Sequence, residues 1–184
     1  MALTSTETSQ VKVPKKHSDE MIHRSITINK SPAEIYTFFR NFGNLPYFMK
    51  DLVSVRVASE TMSHWVVQLE HGPIVEWDAE IIEEKYAEMV SWRTIGRTEV
   101  QQAGTIWFSK APRDRGTVVR LHMSYTIPAG KLGKLATILV GEDADSIMQI
   151  NLNRLKAYLE TGEVPTTNGQ PTGRDEDLAP EMKH

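Results

Sequence analysis

The sequence predicts an α+β fold in which a seven-stranded antiparallel sheet closes over a long C-terminal helix. Three observations carry that expectation. Residues 104–130 read as a long β-hairpin: Ile106 and Phe108 alternate with Thr105, Trp107 and Ser109, and Val119, Leu121, Met123 and Tyr125 alternate with Val118, Arg120, His122 and Ser124. A period of two marks strands with one buried and one wet face. Four more strand candidates at short spacing precede the hairpin, as in an antiparallel meander. Beyond it, Met148, Leu152, Leu155 and Leu159 repeat at i, i+4, i+7 and i+11, an apolar helix face able to cover the sheet.

Composition narrows the class. The 184 residues suit one domain, and a net charge of -3 supplies no basic field for nucleic acid. The absence of cysteine excludes disulfides, thiolate metal sites and thiol catalysis. The first twenty residues lack the apolar core of a signal peptide, and no run approaches the ~18 apolar residues of a membrane span. The expectation is a cytoplasmic protein with a polar arm over 1–19, a domain over 20–165 and a disordered tail over 166–184.

The elements follow in order. Residues 21–29 form the first strand, with Ile22, Ile26 and Ile28 in step. Ser31, Pro32 and Glu34 open a helix, as N-cap, first-turn proline and capping-box partner. Ile35, Phe38, Phe39 and Phe42 give that helix one apolar face, and 44–50 reads as a second short helix or turn. Val53, Val55 and Val57 alternate in the next strand, and Trp65, Val67 and Leu69 in the one after it. Residues 74–83 place Val75, Trp77, Ala79 and Ile81 on one face and Glu76, Asp78 and Glu80 on the other. Val90 and Trp92 mark a strand over 89–95, and Pro128-Ala129-Gly130 ends the sheet. Residues 131–140 form an apolar helical segment, and Thr161-Gly162 closes the last helix.

Taken together, these residues resemble a known superfamily. The matching features are Ser31-Pro32 with Glu34, FGNLPYFM over 42–49, Trp65, Glu76-Trp77-Asp78-Ala79-Glu80 and Ser91-Trp92-Arg93. Gly104 with Ile106 and Phe108, Arg115-Gly116-Thr117, and Leu155-Lys156 with Glu160-Thr161-Gly162-Glu163 continue the pattern. The chain is similar to the START-like (SRPBCC) superfamily, in its bacterial polyketide cyclase/dehydrase and coenzyme-Q-binding branch. The resemblance implies a helix-grip fold with a hydrophobic tunnel between sheet and helix. It implies no reaction, because relatives include aromatases, lipid carriers and quinone-binding proteins.

The residues point to a pocket more than to catalysis. Glu76, Asp78 and Glu80 have the parity of a solvated face, and His64, His71 and His122 show no metal-ligand or catalytic spacing. No metal or cofactor is expected. The inner parity instead collects Trp65, Trp77, Trp92, Phe108, Leu121, Met123 and Tyr125. Facing them from the C-terminal helix are Met148, Asn151 and Leu152, with Leu135 and Ile138 on the preceding segment. Large aromatics with few polar partners suit an apolar pocket. Tyr125, Asn151 and Arg154 are the polar groups able to orient a ligand. The expected function is binding or carriage of a small hydrophobic molecule, a lipid or an isoprenoid quinone, with transient membrane contact through 131–140 as a further possibility. The alternative is an aromatase/cyclase acting on a polyketide chain in the same tunnel, with Tyr125 or Arg154 moving the proton.

Overall fold

The alternation of apolar and polar residues is realised as seven strands: β1 (Glu20–Ile28), β2 (Leu52–Val57), β3 (Met62–Gln68), β4 (Ile74–Lys85), β5 (Met89–Ile95), β6 (Gln101–Lys110) and β7 (Thr117–Thr126). The structure, a computed structural model, describes residues 20–68, 73–96, 98, 100–126 and 144–164. The 1–19 arm, the 131–140 segment and the tail therefore lie outside the described residues. All strand pairs are antiparallel, in the order β1-β7-β6-β5-β4-β3-β2. Helix α1 (Pro32–Arg40) and a 3-10 turn (Phe42–Tyr47) link the two edge strands, and helix α2 (Ala144–Thr161) packs on β1.

Local chemistry explains the helix ends. Ser31 Oγ accepts from Glu34 N at 3.2 Å, and the Glu34 carboxylate accepts from Ser31 N at 2.9 Å. That reciprocal pair satisfies two backbone donors with no helical partner. Asn41 ends α1 and its side chain accepts from Gly43 N at 3.1 Å, so Phe42 belongs to the 3-10 turn and not to the α1 stripe. Helix α2 stops at Thr161, where Gly162 N donates to Tyr158 O at 2.8 Å. Along its length α2 is pinned to β1: Arg24 pairs with Asp145, Lys156 Nζ donates to Thr27 O at 2.8 Å, and Glu160 accepts from Asn29 N at 2.7 Å.

Two glycines are fixed by close packing. A Cβ on Gly104 would lie 2.7 Å from Trp92 Cε2, because the indole lies flat across that strand. Gly116 combines φ +90° with a Cβ direction that runs into the backbone of Ile28 and Asn29. Bulges break the alternation elsewhere. One between Leu52 and Ser54 leaves Leu52 buried beside exposed Val53, and farther along β2 Val55 is half-buried while Val57, its last residue, is exposed. Another between Ile81 and Glu83 turns Ile82 to solvent.

The outer face carries an aromatic row. Trp107 meets His122 edge-on at 4.6 Å between centroids, and His122 meets His23, its partner across the ladder, at 4.1 Å. Desolvation, then the charges of His23 and Arg120, push the His122 pKa below its ordinary value. Its folded pKa thus lies under the unfolded one, and the unfolded chain takes up the proton first as the pH falls. The associated stability is full above about pH 6.5 and is lost as the pH falls through the folded value. His122→Gln should therefore flatten the Tm profile between about pH 7 and 5. An unchanged slope would assign the loss to other groups.

Candidate functional site: the apolar gap under the sheet

The site is the space between the concave sheet face and α2. Strand parity sends Trp65 from β3, Trp92 from β5, and Leu121 and Met123 from β7 into it. Helix phase sends Met148, Asn151, Leu152 and Leu155 from the other side. Their enclosed gap holds about 20 Å³, room for about one water, in a setting that is almost wholly apolar. A wide tunnel is not open among the described residues. Aromatic rings occupy the space instead: Phe39 lies 5.8 Å from Trp92, Phe42 lies 5.5 Å from Trp65, and Trp65 stacks on Trp77 at 5.9 Å.

Seven of the expected site residues thus meet around one gap. Trp77 and Phe108 are buried on the same sheet face but do not line it. Tyr125 is half-buried, and its hydroxyl donates to Met123 Sδ at 3.5 Å. Burial raises its phenol pKa above the ordinary value, so it stays protonated. Leu135 and Ile138 lie outside the described residues. The gap also takes Phe39, Leu45, Phe48, Met49 and Leu155, which sequence reasoning did not place there. The α1 stripe had marked Phe39 as core, but no local signal says that α1 and its 3-10 turn dip under the sheet.

Two of the expected ligand-orienting groups have structural partners. Asn151, buried at 3 % exposure, accepts from Lys50 N at 2.9 Å through Oδ1. Arg154 Nε donates to Phe48 O at 2.7 Å. Both tie α2 to the corner before β2.

Three buried polar atoms have no hydrogen-bond partner among the described residues: Trp77 Nε1, Trp92 Nε1 and Gln102 Nε2. Gln102 occupies an inward position of β6, opposite Tyr125 of β7, and its backbone N donates to Thr94 Oγ1 at 3.1 Å. Its signal in the sequence was a polar residue on the parity of Gly104, Ile106 and Phe108.

A larger, open groove of about 470 Å³ lies between α1 and the β2–β4 strands. Its charges satisfy one another. Arg40 forks onto Glu84, Arg40 Nη2 donates to Glu60 O at 2.8 Å, and Tyr36 donates to Glu84 at 3.3 Å. The Arg40 hydrogen bond holds the Glu84 carboxyl below its usual pKa. With its charges so engaged, this groove is a weaker candidate than the inner gap. No group of three metal-ligating residues occurs among the described residues, and none of their helices is long and apolar enough to cross a membrane.

Comparison with known proteins places this geometry. Residues 28–152 match the family described as polyketide cyclase / dehydrase and lipid transport. The chain belongs to that family. A relative from Streptomyces lincolnensis, described as an uncharacterized 17.2 kDa protein, is 32% identical over 104 residues, 56% of this chain and 67% of its own. Among solved structures, DR_A0006 from Deinococcus radiodurans superposes with a TM-score of 0.62 at 24% identity, over 78% of this chain and 99% of that one. The Zhui aromatase/cyclase from Streptomyces sp. R1128 gives 0.54 at 11% identity, over 79% and 90%. At such identities the structures speak for the fold, which is the helix-grip, START-like one, a curled seven-stranded sheet with a C-terminal helix.

Proposed function

We propose that this family member binds and carries a small hydrophobic molecule between the sheet and α2. The carrying observation is the character of the gap: facing apolar side chains from β3, β5, β7 and α2 surround it, and among the described residues Asn151 is the one polar residue that lines it. The mechanism is burial, since each methylene withdrawn from water stabilises the complex by about 0.8 kcal/mol. Room for such a guest requires side chains to move, and the gap is rich in groups that can. Met49, Met123 and Met148 are unbranched and repack at low cost. An isoprenoid quinone or a lipid tail fits this chemistry. The rival cyclase reading requires an inward group that takes up a proton, and Tyr125, held protonated by burial, is a donor.

The tryptophans supply the test. Trp65, Trp77 and Trp92 are buried on the inner face, whereas Trp107 stands on the outer one against His122. Titration with 2-methyl-1,4-naphthoquinone, an apolar quencher, should reduce indole emission saturably. Trp107→Phe should leave the saturable fraction nearly intact, and Trp92→Phe should remove a large part of it. Linear quenching carried mainly by Trp107 would reduce the aromatic set to ordinary core.

A further inference from the structure

The described histidines stand on the outer face of the sheet, and the fold treats them in two ways. His64 is held at both ring nitrogens: Nδ1 meets Asp78 at 2.9 Å and Nε2 meets Glu76 at 3.5 Å. His23 and His122 are left differently. Among the described residues no hydrogen bond or ion pair engages either imidazole. Ring contacts surround them instead, with His122 lying 4.1 Å from His23 and 4.6 Å from Trp107 between centroids.

The ladder builds this pair. His23 of β1 and His122 of β7 are direct antiparallel partners, so their side chains leave one face of the sheet side by side. His122 is half-buried and buttressed by the Trp107 indole, whereas His23 is exposed. The two rings meet edge to face, at 81°. The terminal torsion of a histidine is broad, and a turn of the exposed His23 ring can bring one nitrogen of each imidazole toward a common point. Both nitrogens are then available as lone-pair donors, since neither ring spends one on a neighbour.

We propose that His23 and His122 form a two-imidazole site for a borderline divalent transition-metal ion, copper(II) ahead of nickel(II) and zinc(II). Neutral imidazole nitrogen is a donor that such ions favour, and affinity along the first row peaks at copper. The surroundings work against other cations. No carboxylate pairs with either ring among the described residues, and Arg120 projects from the same face two residues from His122. Magnesium and calcium, which take oxygen ligands, find no charged oxygen here. Two protein ligands leave the other coordination positions to water, so the site is weaker than one with three or four. Its effect on the fold is specific. Strands β1 and β7 are the first and last of the chain, and an ion bound to both staples the pairing of longest range in the sheet.

Copper(II) chloride titrated into the full chain, in a non-coordinating buffer near neutral pH, tests the site. Trp107 is its reporter, because copper(II) quenches an indole beside it and the other tryptophans are buried on the opposite face. Emission should fall saturably, by the share of that one tryptophan. Trp107→Phe should abolish the quenching while calorimetry still finds the ion bound. His23→Gln and His122→Gln should each weaken binding by about tenfold or more, since each removes one arm of the chelate. Electron paramagnetic resonance should show two imidazole nitrogens on the copper of the parent chain and at most one in either histidine variant. Copper at about 100 times its dissociation constant should raise Tm by about 5 °C or more, and by far less in either variant. His23 is exposed, so His23→Gln should fold as the parent does and carries the test if His122→Gln does not. Quenching or a Tm rise that survives undiminished in His23→Gln would put the ion elsewhere on the chain and overturn the site. A loss of affinity well under tenfold, one nitrogen in the parent spectrum, quenching that persists in Trp107→Phe, or quenching that never saturates would overturn it too.

Discussion

Gly104→Ala is expected to lower Tm by about 10 °C or more, the cost of unseating Trp92. The added methyl would stand 2.7 and 2.8 Å from Cε2 and Cη2 of an indole that is 2 % exposed. Backbone on both sides holds the strand, since β5 and β7 pair with β6 throughout this stretch. The ring must yield. It packs on Phe39 and Phe42, so its displacement forfeits much of what a Trp→Ala change forfeits, about 3–5 kcal/mol. For a chain of this length each kcal/mol moves Tm by about 2–4 °C. The clash is specific, which allows a cycle of variants. Adding Trp92→Leu to Gly104→Ala should recover part of the loss, giving a coupling of about 1–3 kcal/mol. Additive losses by calorimetry would mean that the ring and the glycine do not oppose each other.

The second large effect belongs to α2. Leu155 is fully buried and lines the gap. Leu155→Ala should cost about 2–5 kcal/mol, at the upper end if the site cannot collapse. Here the lost atoms border space that is already enclosed, so the new volume joins the old. The enlarged hole is apolar and should stay dry while admitting small apolar guests. Saturating benzene should raise the Tm of Leu155→Ala and leave the parent chain nearly unmoved. A variant that loses stability and ignores benzene would show that Met148, Leu152 and the facing rings have closed over the deletion.

Legibility in the sequence follows the range of the forces involved. Strand parity is a local property, so β4 with its buried Val75, Trp77 and Ala79, and the outward turn of Trp107, could be read directly. The Ser31–Glu34 box is likewise contained in four residues. What was not legible depends on distant partners. The alternation of Val53, Val55 and Val57 does not reveal the bulge at the start of this edge strand, beside which Val53 is exposed. Asn151 and Arg154 read as ligand-orienting groups, and their bonds to the backbone of Lys50 and Phe48, about a hundred residues earlier, could not be seen without the fold. The gap shrank for the same reason, because no periodicity in residues 38–49 says that their rings will fill the sheet's hollow. Gln102 was visible as a polar intruder on an apolar parity, and its lack of a partner required the fold.

The strand order β1-β7-β6-β5-β4-β3-β2 also sets the timetable of assembly. Every neighbouring pair from β2 to β7 is joined by a short connection, so those ladders can zip as soon as each hairpin exists. Strand β1 is the exception. Made first, it has no ladder partner until β7, so that Ile22 waits for Met123 and Ile28 for Thr117. A chain leaving the ribosome carries β1 unpaired until all six later strands have been made. Loop closure over so long a span is slow compared with hairpin formation. Helix α2, which clamps β1 through Asp145, Lys156 and Glu160, arrives later still. The last step of folding is therefore the one that covers the concave face of the sheet, and a nascent chain short of α2 leaves that apolar surface open to chaperones.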